Sequence, residues 1–280
     1  MIKHFISLEW KSFFRSATLG KSIAIKILMG FFALYFLIMF LIIGVALFPA
    51  INEIYPENDP FLIVNGFVFY WVLADLLMRF FFQKLPVMYI KPLLTLPIKK
   101  SKIVHYVLGK SAVSFFNFLH LFAIVPFGIT LMTKGYDTPI VITWMGTLII
   151  VVLIINFLNF IIESLSAETE LSFLPILAIA GLFFALNYFN IISFSELLSS
   201  VVIKITETPV LVVVPVLILI ALYVFNFKIL KRKLYTDNSL KSKTQEVKAS
   251  DLAWTRKFGD VAPFMQLDLK LLWRNKRQLS

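Results

Sequence analysis

The sequence predicts an all-α, polytopic membrane protein with six transmembrane helices, and three observations carry that prediction. Hydrophobic residues make up 59% of the 280-residue chain and charged residues only 15%; soluble domains hold about 45–50% and about 25%. The apolar residues fall into runs long enough to cross a bilayer, whose ~30 Å hydrocarbon core takes about 20 helical residues. Lysine and arginine gather at alternate ends of those runs.

The elements follow in order. Over 2–17, Ile2, Ile6, Trp10, Phe13, Phe14 and Ala17 form one helical stripe, and Lys3, Ser7, Lys11 and Arg15 form another. This predicts an amphipathic helix within 1–22, lying in the bilayer surface with its cations toward anionic headgroups. The run 23–48 exceeds a signal-peptide core of about 7–15 residues and reads as a retained first span. Further spans are predicted over 61–82, 104–131, 139–162, 171–190 and 209–230, so that 23–230 forms the transmembrane domain. The stretch 191–209 is half apolar, and reads as a short outer interfacial helix or a packed re-entrant loop. Residues 231–280 read as a basic cytoplasmic tail.

Cation placement predicts orientation. Lys3, Lys11, Arg15, Lys21 and Lys26 precede or open the first span. Lys84, Lys91, Lys99, Lys100 and Lys102 follow the second, and 13 of the 27 basic residues lie from Lys228 onward. The opposite loops, 49–60, 132–138 and 191–208, contribute only Lys134 and Lys204. The positive-inside rule therefore puts both termini in the cytoplasm, as an even number of crossings requires. The connection between spans four and five carries Glu163, Glu168 and Glu170 without a cation; acidic residues weigh little in that rule. The net charge of +11 is absorbed by this asymmetry, so it implies no nucleic acid.

The segment LDLKLLWRN (267–275) repeats the pattern of LEWKSFFRS (8–16) at a constant offset. Asp268, Lys270 and Arg274 take the places of Glu9, Lys11 and Arg15. Residues 265–277 thus read either as the first helix of a second repeat, with the chain a little over half of a duplicated protein, or as an accidental likeness in a six-span subunit that pairs with another copy.

Candidate chemistry is sparse. The chain has no cysteine, which excludes disulfides, thiol nucleophiles and thiolate metal sites. LGKS occurs at 19–22 and 108–111, but a phosphate-binding loop needs a glycine where Arg15 and Val104 stand. No G-x-S-x-G elbow is present. His4, His105 and His120 are too scattered to predict a metal site. Inside the predicted spans stand Asp75, Arg79, Asn117, His120, Asn156 and Asn159. Asp75 and Arg79, four apart, share a helix face. They read either as an intrahelical pair with Arg79 snorkelling to the membrane edge, or as an interior pair that ties helices together or gates a path. Asn117, His120, Asn156 and Asn159 predict hydrogen bonds between helices. The spacing Phe116 to His120 matches part of an intramembrane protease motif, whose paired glutamates are absent. An intramembrane enzyme using His120 and Asp75 is one alternative function, and a non-transporting membrane scaffold is another.

The stretch KLPVMYIKPLLTLPIKKSK (84–102) is too broken by Pro86, Pro92 and Pro97 to span. It reads as a partner-docking helix or as a lysine-rich loop on anionic lipid. Together with LEWKSFFRS before the first span, LLTLPIKKSKIVHYVLGK (93–110) and the interfacial segment before the last span, it resembles the permease subunits of ABC-2-type transporters over most of 1–235. The chain is also similar to an uncharacterised bacterial family related to those permeases, with a duplicated membrane part. The resemblance implies a permease component of an ABC-type exporter in the bacterial cytoplasmic membrane, with no enzymatic activity of its own. ATP and Mg would be held by a separate ATPase subunit. The coupling segment docking on that subunit would include Lys84, Pro86, Lys91, Pro92, Leu96, Pro97, Lys99 and Lys100. A second six-helix half or a second permease copy would complete the transporter.

Overall fold

The computed structural model describes residues 19–83, 99–166, 173–240 and 264–265. The chain divides into two compact units at Tyr235/Thr236, and the architecture below is that of the first. The predicted surface helix and nearly all of the predicted second repeat lie outside the described residues.

Among the described residues the fold is helical, without strands. The helices are α1 (Leu19–Ile54), α2 (Pro60–Phe82), α3 (Lys100–Ala112), α4 (Phe115–Thr133), α5 (Thr138–Ser166), α6 (Phe173–Tyr188), α7 (Phe194–Glu207) and α8 (Val213–Leu240). Five described segments are long and apolar enough to cross a membrane: Ile27–Ile54, Pro60–Phe82, Lys100–Thr133, Thr138–Glu163 and Pro209–Arg232. They correspond to the predicted first, second, third, fourth and sixth spans.

Local chemistry explains the turns. Asp59 caps α2, its carboxylate accepting from the Phe61 N–H at 2.9 Å, and Pro60 occupies the first helical turn, where its missing donor costs nothing. Gly135 ends α4 at φ +94°, with the Tyr136 N–H returning to the Leu131 carbonyl. That left-handed cap suits a residue without Cβ. The Tyr136 hydroxyl donates to Asp59, joining the α1–α2 and α4–α5 turns at one end of the bundle. Burial, helped by that bond, pushes the Tyr136 phenol up to about 12.

Two departures from the sequence reading matter. The predicted third span is two helices, broken at Val113–Ser114. Ser111 stands just before the break, and its hydroxyl donates to the Leu108 carbonyl at 2.9 Å, a local bond that competes with the helical ladder. The predicted fifth span, 171–190, holds a single short helix, α6. α6 has 16 residues, ~24 Å at the helical rise, short of the ~30 Å core. It ends at Asn190, in the left-handed conformation (φ 53°). α7 then packs along α2 rather than lying outside it. Phe194 stacks on Phe69 at 5.6 Å, nine residues inside α2. Asn187 donates to the Tyr70 hydroxyl at 2.7 Å and accepts from the Ser195 N–H at 2.8 Å, bracing the α6–α7 turn. The half-apolar stretch 191–209 is therefore a helix built into the bundle.

Two apolar clusters fill the interior. One joins Phe61 and Val68 of α2, Phe127 and Leu131 of α4, Trp144 of α5 and Val202 of α7. The other, at the opposite end, joins Ile103, Val107 and Leu108 of α3 to Phe157 and Phe160 of α5 and Leu230 of α8. Asn65 braces the first cluster, accepting from Trp144 Nε1 at 3.0 Å. α1 stands at the periphery, most of its apolar side chains exposed. It leans on α4 where Gly44 meets the backbone of Ala123; a Cβ on Gly44 would sit 2.5 Å from the Ala123 carbonyl oxygen.

Candidate functional site: a buried charged junction

Between the two apolar clusters lies a polar layer centred on Arg79, which is 0% exposed. Asp75, Arg79 and Gln83 recur every four residues on α2 and so share one face. Arg79 Nε donates to Asp75 Oδ2 at 2.8 Å. Its Nη1 donates to Gln83 Oε1 at 3.1 Å and Asn117 Oδ1 at 2.7 Å, with Asn156 Oδ1 at 3.5 Å. Gln83 Nε2 donates to Asn156 Oδ1 at 2.8 Å. The guanidinium also lies 5.8 Å from the centre of the Phe116 ring. One cation thus binds α2 to α4 and α5. Nε and Nη1, held in fixed directions by the planar guanidinium, do this where a lysine point charge would not, while Nη2 has no hydrogen-bond partner among the described residues.

The same layer holds the α3–α4 break. Asn117 accepts from Arg79 with its oxygen, while its nitrogen donates to the Ser111 carbonyl at 3.3 Å and the Ala112 carbonyl at 2.8 Å. Asn156 Nδ2 donates to Ser111 Oγ at 3.1 Å. Carbonyls freed by a helix break inside hydrocarbon need partners from the protein, and Asn117 supplies them. The break and the Arg79 junction are therefore one construction.

His120 completes it. Its Nδ1 lies 2.7 Å from the Phe116 carbonyl and its Nε2 lies 3.4 Å from Asp75 Oδ1. Both ring nitrogens face acceptors, and both oxygens of Asp75 are engaged. Trp71 and Phe40 pack on the imidazole at 5.2 and 5.9 Å between ring centroids. On that side the ring forms part of the wall of a cavity of about 220 Å³ between α1, α2, α4 and α5.

The residues singled out in the sequence thus separate. Asp75, Arg79, Asn117, His120 and Asn156 meet in one network. Arg79 forms the intrahelical pair with Asp75 that one reading expected, and it is enclosed and bonded to α4 and α5, as the helix-tying part of the other expected, rather than reaching out of the bundle. Asn159 is buried one turn beyond Asn156, but its side-chain amide makes no hydrogen bond among the described residues, so the expected interhelical bond is not there. His105 is exposed on α3, where Nδ1 lies 2.6 Å from the Tyr223 hydroxyl of α8 and the ring stacks on Phe227. Lys99 precedes α3 and Lys100 opens it; Lys84, Pro86, Lys91, Pro92, Leu96 and Pro97 lie outside the described residues. Sequence reasoning missed Gln83 and Ser111. Gln83 had a signal, the four-residue step from Arg79; Ser111 had none, because only the fold brings it to Asn156.

A family model matches residues 9–280. The chain belongs to a family of unknown function, DUF5687. No curated protein and no solved structure matches it. Family membership therefore carries no activity, and the function must be argued from the junction. Asp75 meets Arg79 with Oδ2 and lies beside His120 with Oδ1, and no group of three metal-binding side chains occurs among the described residues. The arrangement links the α3–α4 break to α2 and α5 through Ser111, Asn117, Asn156 and Arg79.

Proposed function

We propose that the chain is the membrane-spanning permease component of an ABC-type exporter in the bacterial cytoplasmic membrane, driven by a separate ATPase subunit. The observation that carries this reading is the attachment of α3 to the Arg79 junction. α3 directly follows the lysine- and proline-rich segment that would dock on the ATPase. It ends at a break held by the same side chains that tie α2, α4 and α5. A push on the docking segment would reach the bundle interior along a short helix clamped at both ends, by Tyr223 and Leu230 of α8 near its start and by Asn117 at its finish.

In this reading α6 and α7 together make the fifth crossing. α6 rises from one side to the level of Tyr70, and α7 continues beside α2 toward the level of Phe61. Six crossings then put both termini in the cytoplasm. A second permease copy or a second six-helix half supplies the facing bundle, and ATP with Mg resides in the partner subunit.

The test is co-purification of the tagged full chain from its native membrane. The wild type should retain an ATPase subunit, and Lys99→Glu with Lys100→Glu should reduce the retained ATPase at least tenfold. Undiminished retention in that variant would sink the coupling assignment. The contact of Asp75 with His120 supports a second reading, an intramembrane enzyme. That reading requires Asp75→Asn and His120→Ala to abolish turnover while ATPase binding persists.

A further inference from the structure

The cavity beside His120 is walled by Phe40, Ile43 and Gly44 of α1, Val64, Phe67 and Trp71 of α2, and by α4 and α5 behind them. Apart from the imidazole and the indoles, every side chain at its wall is hydrocarbon. A cavity of this lining does not hold water; an engineered one of about 150 Å³ lined by Leu, Ile and Phe stays dry and admits benzene. At about 220 Å³ this one is larger. It is also not sealed. Phe67 lies on its wall and is 62% exposed, and Ile43 across from it on α1 is 45% exposed. The mouth therefore opens sideways between α1 and α2. Both residues stand well inside segments long and apolar enough to span. The medium at that depth is acyl chain, with neither water nor headgroups available.

We infer that this cavity is a binding site for a single alkyl chain, taken from the side by an amphiphile whose headgroup stays at the membrane surface. The site follows from the placement of α1 and α2 in the bilayer and stands whether or not an ATPase subunit binds the chain. Its inner wall is the ring of His120, whose other contacts are Asp75 and the Phe116 carbonyl, so the occupant touches the residue that closes the charged junction. Trp71 and Trp144 also line the wall, which gives the site its own reporter.

The experiment uses the full chain in phosphatidylcholine nanodiscs, with Trp10, Trp71, Trp254 and Trp273 replaced by Phe so that Trp144 alone emits. Trp144 is buried, so quenching by bulk lipid is weak. Two probes are added in separate arms: a fatty acid brominated at mid-chain, and phosphatidylcholine with the same brominated chain. Ile43→Phe and Val64→Phe fill the mouth; Ile43→Phe lies on the half-exposed face of α1 and leaves the bundle interior alone. Quenching at least twice that of the filled variants is expected at equal mole fraction of probe. If the phospholipid does this, the occupant is bilayer lipid; if only the fatty acid does, it is a free amphiphile. Both outcomes support the alkyl-chain site. Quenching equal in wild type and Ile43→Phe, with Trp144 emission unshifted, overturns it. Failure here would leave ATPase co-purification untouched, and the reverse also holds.

Discussion

Arg79 brings five N–H donors into a bundle that gives it no exposed surface. Asp75 balances the charge and accepts from Nε at 2.8 Å, and Gln83, Asn117 and Asn156 surround Nη1, while Nη2 is buried without a hydrogen-bond partner among the described residues. Buried pairs contribute little relative to a well-packed apolar replacement, but removing one member strands the other and costs about 3–5 kcal/mol. Arg79→Met should therefore lower the unfolding free energy in detergent by an amount of that order, read as a lower denaturation midpoint. Arg79→Lys should lose less, retaining charge without the fork. The double variant Asp75→Asn/Arg79→Met should recover most of the single-variant loss. A stable Arg79→Met protein would show that the junction is not held by this pair. At this scale the sequence was legible where spacing carried the signal. Asp75, Arg79 and Gln83 share a face by helical arithmetic. It was not legible where three-dimensional proximity decided: nothing in the local pattern of Ser111 announces Asn156, and Asn159 looks like Asn156 in sequence yet finds no partner.

At the scale of elements, the break in the third span and the short helix in the fifth separate hydropathy from geometry. A hydropathy run counts apolar residues and does not see a two-residue interruption, so 104–131 read as one rod. The break survives because Asn117 and Asn156 serve the freed groups around Ser111 and Ala112. At the end of the fifth span, Asn190 with φ 53° and the Asn187 bracing turn the chain from α6 into α7. α1 shows the complementary case, a long unbroken helix with one tight contact. Gly44→Leu should force the Ala123 backbone away and loosen α1 from α4, a loss on the order of 1–3 kcal/mol for overpacking. It should appear as increased protease cleavage in the α1–α2 turn and a lower thermal midpoint. Gly30→Leu, where a Cβ meets nothing within 4 Å, is the control and should leave both unchanged. Equal effects at the two glycines would mean that the Gly44 contact does not hold α1.

For the whole molecule the governing quantity is the asymmetry of charge across the bundle. The end that carries the α1–α2 and α4–α5 turns holds Glu53, Glu57, Asp59, Asp137 and Glu207 with two lysines, Lys134 and Lys204. The other end holds Lys99, Lys100, Lys102 and the cations of 228–233. The native chain has no cysteine, so each introduced thiol is a clean reporter. Glu57→Cys should react with a membrane-impermeant maleimide in intact cells, and Lys99→Cys only after permeabilisation. Labelling of Lys99→Cys from outside would reverse the orientation and remove the docking segment from any cytoplasmic ATPase.

The sequence by itself determined the solvent, the helical class and the polarity of the ends. Each of these depends on composition and on the length of apolar runs, quantities that add up along the chain without reference to contacts. Only the tertiary structure decided that the third run is broken, that 194–207 packs beside α2, that Arg79 is enclosed, and that a cavity opens beside His120. Those outcomes depend on which freed carbonyl or buried charge finds a partner on another helix, and such partners are set by packing across the bundle.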